Sequence, residues 1–106
     1  MKYLYFALLL SICSCTNPNI DYLGNDYQAT ENMDVYFSPN DIDEYFTIMG
    51  QMNANNENDE SLSLDDMKES MICEAKERGA DAILFLDFES FDDLHYITAD
   101  LLIYEY

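Results

Sequence analysis

The segment of residues 63–88 constrains the fold more than any other part of the chain. Its first half carries apolar side chains at spacings of three and four, which is the period of one helix face. These side chains are Leu64, Met67, Met71 and Ala75. Gly79 ends the period, and residues 82–88 then form a nearly continuous apolar run that is typical of a buried strand. A helix with one apolar face, followed at once by such a strand, is expected to lie across a sheet.

The ends of this helix are also marked. Ser63 and Asp66 have the spacing of a capping box, with aspartate in place of the usual glutamate. Lys76 and Arg78 stand in the last turn, where positive charge complements the helix dipole. Gly79 supplies the left-handed residue that commonly ends a helix. The sequence therefore predicts one amphipathic helix with defined ends.

Residues on both sides of the helix predict strands. Aromatic and β-branched side chains favour strands at residues 33–37, 46–52, 82–88 and 96–106. Gly50 interrupts the second of these and predicts a bulge or a close approach of another chain segment. The predicted order is β-β-α-β-β, an α+β domain over residues 32–106. It consists of a single small sheet of about four strands with the helix packed across it.

The N-terminus predicts a targeting signal rather than a part of the domain. Lys2 precedes an apolar run over residues 3–12, which is too short for a membrane-spanning helix of about 20 residues. Small Ser14 stands directly before Cys15, whereas bulky Ile12 stands before Cys13. Cleavage is therefore expected between Ser14 and Cys15. An ordinary secretory signal cut near the same place is the alternative.

The stretch of residues 12–15 resembles the lipobox of bacterial lipoproteins. That resemblance implies a signal peptide over residues 1–14 and a diacylglycerol on the thiol of Cys15. Residues 15–31 are polar, contain Pro18 and Gly24, and predict a flexible tether. Thr16 follows the lipidation site in place of aspartate, which by the same resemblance implies the outer membrane, with the domain facing the periplasm.

The charge of the chain restricts its partners. Twenty-two acidic residues oppose four basic ones, and the formal net charge is −18. Such a surface repels phosphate backbones, so nucleic acid is not an expected partner. A membrane contact through the lipid, an envelope protein or a second copy of the chain remain as expected partners.

The chain offers little for catalysis or metal binding. His95 is its only histidine, and it is interpreted as a turn residue beside acidic neighbours. Cys73 falls near the apolar face of the helix and is interpreted as a buried thiol. We therefore expect no catalytic residue, no cofactor and no metal site. Tyrosines in the closing strand, such as Tyr96 and Tyr104, suit either a protein contact or ordinary sheet packing.

Two motifs resemble those of a group of small bacterial domains. Residues 46–52 are similar to its aromatic-x-x-aliphatic-Gly strand, and residues 79–83 resemble its Gly-Ala-Asp-Ala-aliphatic link between helix and strand. The group includes YbjQ-like domains and lipoproteins related to RcsF. Met49 stands where the group has isoleucine or leucine, and the cysteines that staple RcsF-type domains are missing. Asp81 is interpreted as a structural residue that bonds turn amides.

Together these features predict a lipid-anchored envelope lipoprotein that is not an enzyme. The favoured hypothesis is a binding, adaptor or sensor module that faces the periplasm. The alternative is a self-assembling structural protein, by resemblance to YbjQ-like domains that form rings. A metal-binding protein or an enzyme is the least favoured hypothesis.

Overall fold

The computed structural model of the chain describes residues 18–105. Over that range it contains one sheet of five strands and one α-helix, in chain order β1, β2, β3, α1, β4, β5. The strands are β1 (Asn19–Gly24), β2 (Asp34–Tyr36), β3 (Phe46–Asn55), β4 (Ala82–Phe91) and β5 (Leu94–Tyr104), and α1 spans Leu64–Glu77. The α+β class with one sheet and one helix is confirmed, whereas the expectation of about four strands is wrong.

The strands lie in the order β1-β3-β5-β4-β2. All neighbouring pairs are antiparallel except β2 and β4, which are parallel. β4 and β5 form a hairpin in which Asp92 adopts a positive φ of 54°, a conformation that a short polar side chain tolerates. The first two strands of the domain therefore lie on opposite edges of the sheet.

The helix begins and ends as its sequence predicts. The Ser63 hydroxyl accepts a hydrogen bond from the Asp66 amide at 3.1 Å, and the Asp66 carboxylate accepts one from the Ser63 amide at 3.1 Å. These reciprocal bonds satisfy two amides that the first turn leaves without a partner inside the helix. At the other end Gly79 has a φ of 88°.

The main core lies between α1 and one face of the sheet. Its fully buried side chains come from α1 and from the three inner strands, and among them are Met52, Met67, Met71, Ile83, Phe85, Ile97 and Leu101. The opposite face, which we call the open face, carries only a small apolar cluster. That cluster consists of Ala82, Leu84 and Leu102, with Tyr36, Ile42, Phe46 and Tyr104 packed against it. Truncating one large core side chain is expected to cost about 2–5 kcal/mol.

The tether predicted over residues 15–31 is wrong for all of it that the structure describes. β1 pairs with β3 along its whole length, from Asn19 opposite Asn55 to Gly24 opposite Gly50. The chain that follows is fixed along the end of α1, because Tyr27 donates its amide to Arg78 O at 2.8 Å. The polar residues of this segment are the solvent side of an edge strand. The folded domain therefore includes β1 and does not start at residue 32.

The strand after the helix is buried over only half of its length. Residues 82–85 of β4 are buried, whereas residues 86–91 are exposed. The sequence predicts a strand that is central or covered throughout, and that expectation is wrong for the second half. β2 explains the difference, since it pairs only with Ala82, Ile83 and Leu84.

Candidate interaction surface at the free edge of β4

Beyond Leu84, the outer side of β4 has no strand partner among residues 18–105. β2 ends at Tyr36, and Ser38 and Pro39 then start a short 3-10 turn (Pro39–Asp41) that leads the chain away. Pro39 stands in the first turn of this short helix, and the chain from residue 39 onward is no longer paired with β4. The outer edge of residues 86–91 is therefore left open.

Two residues of this segment direct their backbone groups outward. Ser90 is opposite His95 in the hairpin, but His95 donates its amide to Asn56 Oδ1 at 2.7 Å instead of to β4. Ser90 and His95 are thus a pair without mutual backbone hydrogen bonds, which leaves the N–H and C=O of Ser90 pointing away from β5. Because the pattern alternates along an antiparallel strand, the same groups of Phe88 also point outward.

Large apolar side chains surround this edge. Phe37, Leu86, Phe88 and Phe91 are 58%, 42%, 41% and 63% exposed. We call these four residues, with the outer backbone of residues 86–91, the edge surface. Asp87 and Glu89 of the same strand are exposed on the open face. The edge surface therefore has an acidic side, on which Phe91 also lies beside Tyr96, and an aromatic side formed by Phe37 and Phe88.

The aromatic side is an ordered cluster. The ring of Phe37 stacks on buried Phe85 at a centroid distance of 5.4 Å, and Phe88 lies 5.6 Å from Phe85 and 6.3 Å from Phe37. Lys68 of α1 places its ammonium 5.7 Å from the Phe37 centroid and 5.9 Å from that of Phe88. Cation–π attraction and the ion pair of Lys68 with Asp65 at 3.0 Å hold the lysine over both rings.

A second polar cluster holds β2 in place. Tyr104 of β5 donates a hydrogen bond of 2.5 Å to the Asp34 carboxylate, and its hydroxyl lies 2.9 Å from that of Tyr36. These bonds reach from β5 to β2 across β4, where Ala82 belongs to the small apolar cluster against which both tyrosines pack. Burial, together with the hydrogen bonds to Asp34 and Tyr36, raises the pKa of Tyr104 well above its usual range. The cluster keeps Phe37, which follows β2 directly, beside β4.

We expect Tyr104→Phe to lower the free energy of unfolding by about 1 kcal/mol at pH 7, through loss of the bonds to Asp34 and Tyr36. The raised pKa of Tyr104 means that its neutral form is favoured by folding, so the contribution is present below pH about 10 and is lost as the pH rises above it. Urea denaturation of both proteins at pH 8 and pH 11 measures this. The difference in the free energy of unfolding between wild type and Tyr104→Phe should be smaller at pH 11 than at pH 8. An equal difference at both pH values would contradict the prediction.

Gly50 lies both at a bulge and at a close approach of another chain segment, the two features that the sequence suggests as alternatives. The pairing of β3 with β5 shifts register between Ile48 and Gly50, as at a bulge. A Cβ on Gly50 would lie 2.4 Å from Tyr22 Oη, so the tyrosine ring occupies the space of the missing side chain. Tyr22 donates its hydroxyl hydrogen to Asn25 O at 2.6 Å, and the Arg78 guanidinium covers its ring at 4.4 Å.

Asp81 bonds the end of β5 rather than a turn amide. Its carboxylate accepts a hydrogen bond from the Tyr104 amide at 2.9 Å. Its own amide donates to Leu102 O at 2.9 Å, and its carbonyl accepts from the Asp34 amide at 3.1 Å. The residue thus joins β4, β5 and β2 at one end of the sheet, which is a structural role.

The other candidate residues lie apart from one another. The imidazole of His95 has its Nδ1 2.7 Å from the Ser90 hydroxyl, and Cys73 is half-buried on α1. Over residues 18–105 no three His, Cys, Asp or Glu side chains are grouped so as to hold a metal ion. Ser14 and Cys15, with the whole signal sequence, lie outside the described residues.

The edge surface is not predicted from the sequence. The sequence suggests tyrosines as contact candidates, whereas the clustered exposed rings are the phenylalanines at positions 37 and 88. The available signal is the run Phe85-Leu86-Asp87-Phe88, in which Asp87 interrupts an otherwise apolar pattern. Such interruptions indicate that one part of a strand reaches solvent.

Comparison with known proteins supports the fold and no further property. Neither a protein-family model nor a curated protein matches the chain. A crystal structure of FvfA, a Francisella virulence factor, is similar with a TM-score of 0.57 at 17% sequence identity, over 80% of this chain and 97% of that one. Among the residues described, no helix is long and apolar enough to span a bilayer.

Proposed function

We propose that the chain is a non-catalytic binding module of the bacterial cell envelope, which is held at the outer membrane by lipid on Cys15 and faces the periplasm. Its working site is the edge surface. The observation that carries this proposal is the uncovered edge of β4, flanked by the exposed rings of Phe37 and Phe88. A partner fits such a surface through backbone hydrogen bonds and apolar contact.

The exposed rings support binding because they are ordered without being buried. Phe37 is held against Phe85 on one side and under Lys68 on the other, yet it remains 58% exposed. A prearranged aromatic side chain brings contact area to an interface with little loss of conformational entropy. Large apolar side chains that cluster at the protein surface commonly mark interaction sites.

The predicted anchor would hold the domain close to a membrane. Only residues 16–18 separate Cys15 from the first residue of β1. A fully extended chain spans at most about 3.6 Å per residue, so lipid on Cys15 keeps the start of β1 within about 14 Å of the acylated residue. Partners of the edge surface are then expected among proteins at the same membrane.

The anchor is tested by comparing the wild type with Cys15→Ala. We expect the wild type to carry acyl mass, to lack residues 1–14 and to sediment with membranes, because the acyl chains supply the attachment. The variant should carry no acyl mass and should not mature, so that residues 1–14 remain on it. Intact-mass measurement and membrane fractionation report this. Cys13→Ala is the matched control and should mature normally. Unmodified wild type in the soluble fraction would contradict the anchor.

Binding at the edge surface is tested by site-specific photo-cross-linking. A photoreactive phenylalanine analogue in place of Phe88 should yield discrete cross-linked products in intact cells. The same analogue at Leu23, which is 84% exposed on the opposite edge strand, should not. Equal yields at both positions, or no product at Phe88, would contradict a binding role for this surface.

A further inference from the structure

We propose that the free edge of β4 binds an extended segment of a partner protein by strand addition, and that this segment alternates basic and apolar side chains. The inference rests on the proposed function and names the chemical class of the partner.

The backbone supplies a defined slot for one added strand. Phe88 and Ser90 present outward N–H and C=O groups, as the pairing of His95 with Asn56 shows. The slot begins beside Phe37, where β2 turns away, and ends at the hairpin turn of Asp92. The register of β4 with β5 shifts between Phe85 and Asp87, so the regular part of this edge begins after Leu86. Residues 87–91 border the slot, which corresponds to about 17 Å of strand. A partner segment of five to seven residues fills that length.

The two faces of the slot favour different side chains in the added strand. On the open face, Asp87 and Glu89 are exposed, so residues of the added strand on that face lie beside two carboxylates. On the helix side, Phe88 and Phe37 present their rings, which suits an apolar residue. Because successive side chains of a strand point to opposite faces, the partner that satisfies both sides alternates basic with apolar residues.

The charge of the chain argues against a second copy as the occupant. A copy that added its own β4 edge would place Asp87 and Glu89 beside their counterparts, and like charges on directly opposed strands are destabilising. The net charge of −18 repels the copies at longer range as well. The same field attracts a basic segment and raises its rate of association.

The opposite edge of the sheet is a poorer site. Among residues 18–105, the edge of β1 exposes one large apolar side chain, Leu23, without a contacting pair of exposed rings beside it. The edge of β4 combines outward backbone groups, contiguous rings and a row of carboxylates, and this combination identifies it as the docking edge.

The test uses the full chain in detergent micelles and synthetic seven-residue peptides. The probe alternates lysine with valine or phenylalanine. The first control has the same composition with the lysines grouped at one end, and the second has glutamate in place of lysine. We expect both controls to bind at least about tenfold more weakly than the probe, by fluorescence anisotropy. Equal affinity of the probe and the grouped control would overturn the proposal.

Amide hydrogen exchange locates the bound peptide. The probe should slow exchange at Phe88 and Ser90, whose amides point outward, and should leave Asp87 and Glu89 unchanged because β5 already protects them. A probe N-methylated on the residues that face β4 should lose this effect, whereas methylation of the alternate residues should preserve it. Binding without protection at Phe88 and Ser90 would overturn strand addition.

The acidic side is tested by a matched pair of double variants. Asp87→Asn with Glu89→Gln should weaken probe binding about tenfold, whereas Glu60→Gln with Glu69→Gln, which changes the net charge equally, should change it less than about twofold. Equal effects would show that only the overall charge matters and would overturn the assigned site. If no peptide binds but cross-linking at Phe88 in cells persists, the basic and apolar partner segment is ruled out while the proposed function stands. If cross-linking at Phe88 is absent, the proposed function itself is overturned.

Discussion

Asn56→Asp is expected to lower the free energy of unfolding by about 2–4 kcal/mol at pH 7. Asn56 is fully buried, and its Nδ2 donates to Leu62 O at 3.2 Å and to Asp93 O at 2.8 Å while its Oδ1 accepts from the His95 amide at 2.7 Å. An aspartate keeps the shape but directs a second oxygen at two carbonyl oxygens. Both donated hydrogen bonds are lost, and a buried negative charge is added.

The pH dependence of the unfolding free energy distinguishes the effect of the buried charge in Asn56→Asp from the effect of the lost hydrogen bonds. The fold disfavours the charged carboxylate, so the pKa of the new aspartate is expected to lie above the unfolded value of about 3.9. The protonated carboxyl group can donate a hydrogen bond to one carbonyl. The loss of unfolding free energy relative to wild type should therefore become smaller as the pH falls towards 4 and larger as the pH rises. Urea denaturation at pH 4.5 and pH 7 measures this, with Asn32→Asp, at an exposed position, as control. A deficit that is the same at both pH values would contradict the charge explanation.

Gly79→Ala is expected to cost about 2–4 kcal/mol, since two penalties combine at this position. The backbone φ of 88° is unfavourable for any residue with a Cβ. In addition, a Cβ there would lie 2.6 Å from Gln28 O and 2.6 Å from the Tyr27 carbonyl carbon. These are backbone atoms that cannot rotate aside, and Tyr27 is held by its bond to Arg78 O. The segment before β2 would have to move away from the helix.

Gly79→Asn distinguishes the two penalties. Asparagine tolerates a left-handed backbone better than alanine does, so a purely conformational cost would be largely recovered in this variant. The contact with residues 27–28 predicts instead that Asn and Ala destabilise to a similar degree in thermal or urea unfolding. Glu77→Ala, at an exposed helix position, should stay within about 0.5 kcal/mol of wild type. Full stability of Gly79→Asn would contradict the role assigned to the contact.

Local signals explain how much of the fold could be predicted. The helix was placed from Ser63 to Gly79 because its cap, its apolar period and its stop all lie within the segment itself. β1 was missed because an edge strand with one buried side alternates weakly: only Ile20 and Tyr22 are apolar and turned inward. Its Asn and Asp residues have the composition of a linker, although the alternation itself was available as a signal.

The edge surface could not be predicted because it depends on pairing between distant segments. Phe37 meets Phe88 only because β2 lies parallel to β4, and parallel register has no signal in either strand. The length of the free edge depends on β2 ending at Tyr36, since β4 continues to Phe91. Sequence patterns describe each strand, but the uncovered part of β4 is a property of the two strands together.

The placement of β1 and β2 on opposite edges has a consequence for local unfolding. Among the described strands, β1 pairs only with β3 and β2 only with β4, so the pairing of the three inner strands does not depend on either edge strand. β2 is three residues long and none of its residues is buried, and short exposed elements open at a lower free energy than the core. Detachment of β2 would extend the free edge of β4 back to Ala82, so opening of β2 and strand addition are expected to be coupled.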